Sequence, residues 1–552
     1  MPTAGELVIS SLVANGIDRV FCVPGESYLG LLDALHGRGD IDTVVCRHEA
    51  GAGFMALADA RLTGRAGVAL VSRGPGASNA AIAVHTAQQD GVPFILIVGQ
   101  VAARDIRRDA FQEIDFGHMF GRIAKWTAEV TDPDRVAETM LRAVQVATTG
   151  LPGPVVIAVP EDVLCAHTDH AAAAPQATPR AGPLPEDVAR LRRMLSDAKR
   201  PLLIAGSGLE RPGGRDALRH FAEAWQVPTA VSFRRQDLLA NDHPLYAGDL
   251  GLSNPAAQME VFREADLLIV LGARLSDITT QGYAFPTPGR PEMPLVHVHA
   301  DPAVIGLHFA ADLAIACDPQ ALIAALGSPG RRPDRGTWPQ RLADERGRIA
   351  AVRSFSVDDG IAFEAGVDIV GRNLAADAIL TLDAGLFAAP AYRIIPFRPP
   401  QRLLAPIAGA MGFGVPAAVA AALRQPSRQV VCLVGDGGFL MTGNELAVAL
   451  ERGLPLKIVI SENGIYGSIR LHQERDYPGR VSGTGFANPD LAMIGRAFGF
   501  RSTRIETMTD LGALPDLLTR PGPDIAVVRT STKAVLPQPR ACQAMIGSPD
   551  RL

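Results

Sequence analysis

The sequence predicts an α/β protein built from three doubly wound parallel sheets, and three observations support that reading. Short apolar runs of strand length alternate with longer helix-like stretches through most of the chain, the rhythm of strand–helix–strand units. At 552 residues the chain is too long for one hydrophobic core, which stops growing beyond about 250–300 residues. Two breaker-rich stretches without periodicity, residues 171–183 and 328–336, divide it into three parts.

The first expected unit spans residues 1–170, with strands at 20–23, 43–46, 67–71, 94–98 and 155–159. These runs have no polar side, as strands covered by helices on both faces require. A central unit over 185–345 has strands at 201–205, 267–271 and 295–299. A charged helix then leads into the third unit, residues 360–535. There Val430-Val-Cys-Leu-Val-Gly-Asp-Gly-Gly-Phe439 reads as a buried strand ending in a glycine-rich turn, with a helix expected over 442–451. A further strand at 456–460 brings Asn463 to the same sheet edge. Residues 403–423 are uncharged and long enough to cross a bilayer. Pro406, Gly409, Gly412, Gly414 and Pro416 interrupt them, so a broken turn followed by a buried helix from about Pro416 is expected. The first and third units are comparable in size, consistent with an old duplication.

Composition narrows the function. The chain is 47% hydrophobic and 20% charged, with 53 basic and 58 acidic residues for a net charge of −5. No basic run points to nucleic acid or to an anionic membrane. The six cysteines are scattered without a C-x-x-C pair, which fits a reducing cytoplasm better than a disulfide framework. The start, Met-Pro-Thr-Ala-Gly-Glu, lacks the pattern of a signal peptide.

In a parallel sheet the carboxyl ends of the strands open onto the crevice where ligands bind. Here that crevice receives Asp436, Asn463 and the turn Gly435-Asp436-Gly437-Gly438, whose backbone N–H groups suit phosphate. Hard oxygen ligands beside a diphosphate describe a Mg²⁺ site. Glu49 follows a strand and begins an Ala-rich helix in the first unit, where a carboxylate alone would be no more than a favourable dipole interaction.

Gly435-Asp436-Gly437 with Asn463 downstream resembles the thiamine diphosphate binding motif, and Cys46-Arg-His-Glu-Ala-Gly-Ala-Gly53 resembles the Arg-His-Glu element of the same enzymes. The resemblance implies pyrimidine-binding, central and diphosphate-binding domains in that order. It implies that Asp436, Asn463 and the Ile465 carbonyl hold Mg²⁺, with Tyr466 beside them at the cofactor. Glu49 would hydrogen-bond the aminopyrimidine N1′ and so activate the thiazolium C2, a task for a carboxyl group in a dry pocket. In Ala408-Gly-Ala-Met-Gly-Phe-Gly414 the resemblance assigns Gly409 a backbone contact and Met411 the prop that bends the cofactor. In Asp383-Ala-Gly-Leu-Phe387, Gly385 and Leu386 would touch the diphosphate.

Further segments resemble the acetolactate synthase branch: Ser72-Arg-Gly-Pro-Gly-Ala-Ser-Asn79, Gly99-Gln-Val101, Asp109-Ala-Phe-Gln-Glu113, Gly412-Phe-Gly-Val-Pro-Ala-Ala418 and Gly453-Leu-Pro-Leu-Lys457. The likeness runs from Gly16 to about Val528 and makes Gln112 a pocket glutamine. It implies decarboxylation of a 2-oxo acid such as pyruvate, carboligation to an acceptor, and a homodimer or homotetramer with the active site between subunits. The chain departs from the branch where the second substrate is read. Ile278 stands where an acceptor-binding arginine is expected, and His472 replaces a tryptophan, with Arg470 and Arg475 as alternative polarity. Pro24-Gly-Glu-Ser27 replaces Gly-Gly, so Glu26 is either a further acid/base or a surface charge, and His85 either a proton donor or a packing histidine. Ala205-Gly-Ser-Gly208 and Gly272-Ala-Arg274 leave FAD open in the central unit. The alternatives are a lyase of 2-hydroxy ketones or 2-hydroxyacyl thioesters, a simple 2-oxo acid decarboxylase, and a cofactor-binding regulatory protein without turnover.

Overall fold

A computed structural model describes residues 1–534. Cys542 and the last residue of the expected third unit lie outside the described residues. Three six-stranded sheets form, each parallel throughout. The first contains β1 (Arg19–Cys22), β2 (Asp42–Val45), β3 (Gly67–Ser72), β4 (Phe94–Gln100), β5 (Trp126–Glu129) and β6 (Pro154–Pro160), in the order β2-β1-β3-β4-β6-β5. The central sheet contains β7 (Pro201–Ala205), β8 (Thr229–Ser232), β9 (Tyr246–Leu250), β10 (Leu267–Leu271), β11 (Leu295–His299) and β12 (Leu313–Ala316), in the order β12-β11-β10-β7-β8-β9. The third contains β13 (Ile379–Leu382), β14 (Arg402–Leu404), β15 (Val430–Gly435), β16 (Lys457–Glu462), β17 (Arg501–Ile505) and β18 (Asp524–Arg529), in the order β14-β13-β15-β16-β18-β17. Counted from its own first strand, the third sheet repeats the order of the first.

The first and third sheets share one hydrophobic core. Its centre is the helix Glu49–Thr63, from which Ala50 through Arg61 are all buried. Such a helix has no polar face to show, and its composition explains how it fits. Gly53 packs against the helix Arg73–Asp90, where an added Cβ would stand 2.3 Å from the Cβ of Ala83. On its other side lies the equally buried helix Gly414–Arg424, joined through an edge-to-face contact of Phe54 and Phe413 with ring centroids 5.6 Å apart. Small residues allow this close approach, so the breaks in residues 403–423 mark a core element. Among the described residues no helix is long and apolar enough to cross a membrane.

Two boundaries differ from expectation. The helix expected over 442–451 begins instead at Asp436: the glycine-rich turn is itself the first turn of the helix Asp436–Thr442, which a 3₁₀ turn (Gly443–Glu445) separates from the helix Leu446–Glu451. Glycines there reflect close packing rather than a loop, since a Cβ on Gly438 would meet the Asp383 carboxyl at 3.0 Å. The charged helix Trp338–Ala350 covers the central sheet, with Trp338 Nε1 donating to the Pro201 carbonyl at 2.8 Å.

Candidate active site

All the third-domain positions expected to touch the cofactor line one cavity of about 230 Å³ at the carboxyl edge of the third sheet. Gly385 and Leu386 follow β13, Gly435 to Gly438 follow β15, and Asn463, Ile465 and Tyr466 follow β16. Gly409 and Met411 reach it from the loop between β14 and the helix Gly414–Arg424. Phe363, Thr530 and Ser531 also line it; nothing in their local sequence distinguishes them, because distant segments bring them there.

Asp436 is buried and anchors the strand ends around it. Its Oδ2 accepts from the backbone N–H groups of Asn463 at 2.8 Å and Gly464 at 2.7 Å, and from Asn488 Nδ2 at 2.8 Å. Its Oδ1 accepts from the Gly437 N–H at 2.8 Å. Asn488, which sequence reasoning missed, keeps a buried Oδ1 without a partner. An orphaned acceptor on the amide that binds the Asp436 carboxylate fits a hard cation. Among the described residues no three His, Cys, Asp or Glu side chains cluster as a metal site, so such a cation would depend on the single Asp436 carboxylate with main-chain, amide and phosphate oxygens.

The floor of the cavity rests on Asp383. Its carboxylate is fully buried and accepts from Ala384 at 2.7 Å and from Gly412 and Gly414 at 2.9 Å, all backbone N–H groups. Burial pushes this carboxyl up to about 6, against the hydrogen bonds and Arg234, which favour its ionised form. The loop from Leu403 to Gly414 is clamped along its length by other domains. Arg61 of the first domain donates to the carbonyls of Ala405 at 2.9 Å and Leu403 at 3.2 Å. Arg234 of the central domain donates to the Pro406 carbonyl, and Asp90 of the first accepts from the Ala408 N–H at 2.8 Å. Arg61 is itself paired with Glu210 at 3.1 Å. Removing one partner from such a buried ionic network costs more than its formation contributes.

Glu49 lies apart from this cavity within the same chain. It is half-buried at the start of its helix, where Oε2 accepts from Asn79 Nδ2 at 2.9 Å. Asn79 belongs to the Ser72–Asn79 segment singled out in the sequence, but its contact with Glu49 was not foreseen. Gln112 has an exposed side chain and a left-handed φ of +66°, and its carbonyl accepts from the Gly74 N–H at 2.9 Å. Glu26, His85 and His472 are exposed. Arg470 pairs with Glu474 at 3.0 Å and Arg475 with Asp476 at 2.7 Å, so these two cations are satisfied within their own helix.

A second cavity, of about 360 Å³, opens at the carboxyl edge of the central sheet. The Gly-Ser-Gly turn beside it donates its N–H groups to protein: Gly206 to the Leu271 carbonyl at 2.9 Å and Gly208 to that of Gly272 at 3.0 Å. A Cβ on Gly206 would come within 2.3 Å of the Ala273 Cα. Those glycines serve loop packing.

Comparison with known proteins agrees with this architecture. The family model for thiamine pyrophosphate enzyme, N-terminal TPP binding domain, matches residues 2–119; those for the central domain and the C-terminal TPP binding domain match residues 188–326 and 383–523. The acetolactate synthase isozyme 2 large subunit of Escherichia coli (strain K12) is 33% identical over 528 residues, covering 94% of this chain and 93% of the relative. The acetolactate synthase large subunit of Lactococcus lactis subsp. lactis (strain IL1403) is 30% identical over 545 residues, or 97% and 94%.

Proposed function

The chain belongs to the thiamine pyrophosphate enzymes, and on that premise we propose that it decarboxylates a 2-oxo acid such as pyruvate and joins the remaining two-electron nucleophile to an acceptor, as an acetolactate synthase-like carboligase. Thiamine diphosphate supplies the electron sink for that chemistry when bound. The residues supply everything else. The observation that supports the reading best is the convergence of β13, β15 and β16 ends on one cavity over two buried aspartates.

The glycine-rich strand ends would take the diphosphate, and Asp436, Asn463 and Ile465 would hold Mg²⁺ between protein and phosphate. Met411, rising from a loop clamped by Arg61, Arg234 and Asp90, would set the bend of the cofactor. Glu49 would meet the aminopyrimidine and hold its proton. Among the described residues no first-domain acid lines the cavity of one chain, which supports a homodimer or homotetramer in which a second chain brings its Glu49. The free cysteines among the described residues, four of them buried, fit a cytoplasmic setting. The Gly206 and Gly208 N–H groups of the central Gly-Ser-Gly turn are taken by protein carbonyls, which weighs against that turn as an FAD cradle, and no step passes through FAD.

A second reading, cleavage of a 2-hydroxy ketone or 2-hydroxyacyl thioester, draws on Ile278 and on the satisfied Arg470 and Arg475. A site without a free cation at those positions reads an acceptor carboxylate poorly. The test offers pyruvate to the purified protein with thiamine diphosphate and Mg²⁺ and follows CO₂ and acetolactate. Both products support carboligation with pyruvate as acceptor. CO₂ alone supports a decarboxylase or another acceptor, and no CO₂ from any 2-oxo acid overturns the proposal in favour of the lyase or of a cofactor-binding protein without turnover.

A further inference from the structure

We propose that Glu445 is a positioning residue for Glu49, fixing the start of the Glu49 helix from across the domain boundary; the inference rests on reading Glu49 as the group that meets the cofactor. Glu445 ends the 3₁₀ turn directly after the Asp436 helix and is fully buried. Its carboxylate accepts from the Arg47 N–H, 3.1 Å from each oxygen, and from the His48 N–H at 2.9 Å. Those are the last two residues before the helix Glu49–Thr63. An acid of the third domain thereby satisfies donors at the threshold of a first-domain helix. The fit has no slack, since a Cβ on Gly51 would stand 2.3 Å from Glu445 Oε1.

The charged surroundings of Glu445 are few. Arg47, at the start of the helix, is paired with Glu451 at 2.9 Å. The Cys46 thiol, at the end of β2, is pushed up by burial and then by Glu445. Arg424, on the packed helix Gly414–Arg424, is bound to Asp18 and Asp59. Asp436, at the far end of its helix, faces Asn463, Gly464 and Asn488. Glu49 is the acid that acts on Glu445. Burial pushes Glu445 up to about 7, the Arg47 and His48 N–H bonds and the Arg47 charge pull it down, and the Glu49 charge pushes it further up. A passive pin would work in any charge state, whereas a Glu445 that changes charge near 7 alters its hold on the Arg47 and His48 N–H groups and, through them, the placing of Glu49.

The test is deuterium exchange at C2 of bound thiamine diphosphate, read by quenched NMR on the Mg²⁺-loaded protein across the neutral range. Glu49→Gln should abolish exchange. Glu445→Gln should bind cofactor normally, slow exchange about 10–100-fold, the usual effect of removing a group that orients a functional side chain, and lose the rate change near pH 7. Wild-type exchange and pH profile in Glu445→Gln, with Glu49→Gln silent, overturns this proposal alone. Undiminished exchange in Glu49→Gln overturns the reading beneath it. Should the glutamine variant not fold, Glu445→Asp keeps the charge but is too short to reach both N–H groups; slowed exchange with the pH dependence retained supports positioning, and a wild-type rate overturns it.

Discussion

At the end of β1 the chain runs Val23-Pro24-Gly25-Glu26 into a 3₁₀ turn; at the end of β13, the equivalent strand of the third sheet, it runs Asp383-Ala384-Gly385-Leu386 into another. The glycines correspond but the acids do not. In the third domain the acid lies under the turn, buried, and ties three backbone N–H groups together. In the first it lies on the turn, exposed. At the next strand end, β3 is followed by Arg73, paired with Glu161 at 2.7 Å, whereas β15 is followed by Asp436, which draws in the end of β16. One edge closes by pairing side chains; the other gathers backbone around a cavity. The same strand order therefore hosts two tasks, and the loops decide which.

The largest expected effect tests that contrast directly. Asp436→Ala leaves three donors from two other segments without their acceptor, each a penalty of about 1–3 kcal/mol when buried. Thiamine diphosphate affinity in Mg²⁺, measured by titration calorimetry, should fall at least about 100-fold, about 2.8 kcal/mol. Arg73→Ala, its counterpart in the first domain, should change that affinity far less. Equal losses would break the comparison, because the Arg73 edge would then contribute as much to holding the cofactor as the Asp436 edge.

Much of this arrangement is legible in the sequence, and the gaps have physical causes. Central strands such as β4 and β10 are buried on both faces and appear as unbroken apolar runs. Edge strands do not: β5 is mostly half-buried, β12 alternates buried and exposed, and β17 keeps one buried residue. The motif loops were readable because glycine, aspartate and asparagine have few reasons to recur at strand ends together. Their supports were not. Arg61, Arg234, Asp90 and Glu445 act across domains, over separations that no local pattern records.

Asp383 provides an intermediate test. In Asp383→Asn one carboxylate oxygen becomes an amide donor facing backbone N–H groups of Gly412 or Gly414, a loss of about 1–3 kcal/mol in stability. The pH dependence has a definite sign. Burial raises this carboxyl from its ordinary 3.8 to about 6, so the folded chain holds a proton there that the unfolded chain has released. Its contribution to stability is full below about pH 4 and declines as pH rises through 6. Wild-type melting temperature should carry that decline and Asp383→Asn should lack it; parallel pH curves would show that Asp383 does not titrate in the folded chain.

Glu26→Gln carries the smallest expected effect and sharpens the comparison from the other side. Glu26 occupies the first-domain counterpart of Leu386, but it is exposed, without a side-chain partner among the described residues. Two features make the turn itself rigid without it. A Cβ on Gly25 would stand 2.2 Å from Ser72 Cβ, and Ser27 Oγ lies 2.9 Å from both Ser72 Oγ and the Gly99 carbonyl. A neutral isostere on such a scaffold changes charge and nothing else, so stability should move by no more than about 0.5 kcal/mol. If Glu26 is only a surface charge, kcat and kcat/KM for the 2-oxo acid follow suit. A fall of about 100-fold or more in kcat, the scale of a lost general acid or base, would instead put this turn in the active site. The first sheet would then bring two acids to the cofactor, Glu26 from the end of β1 and Glu49 from the end of β2.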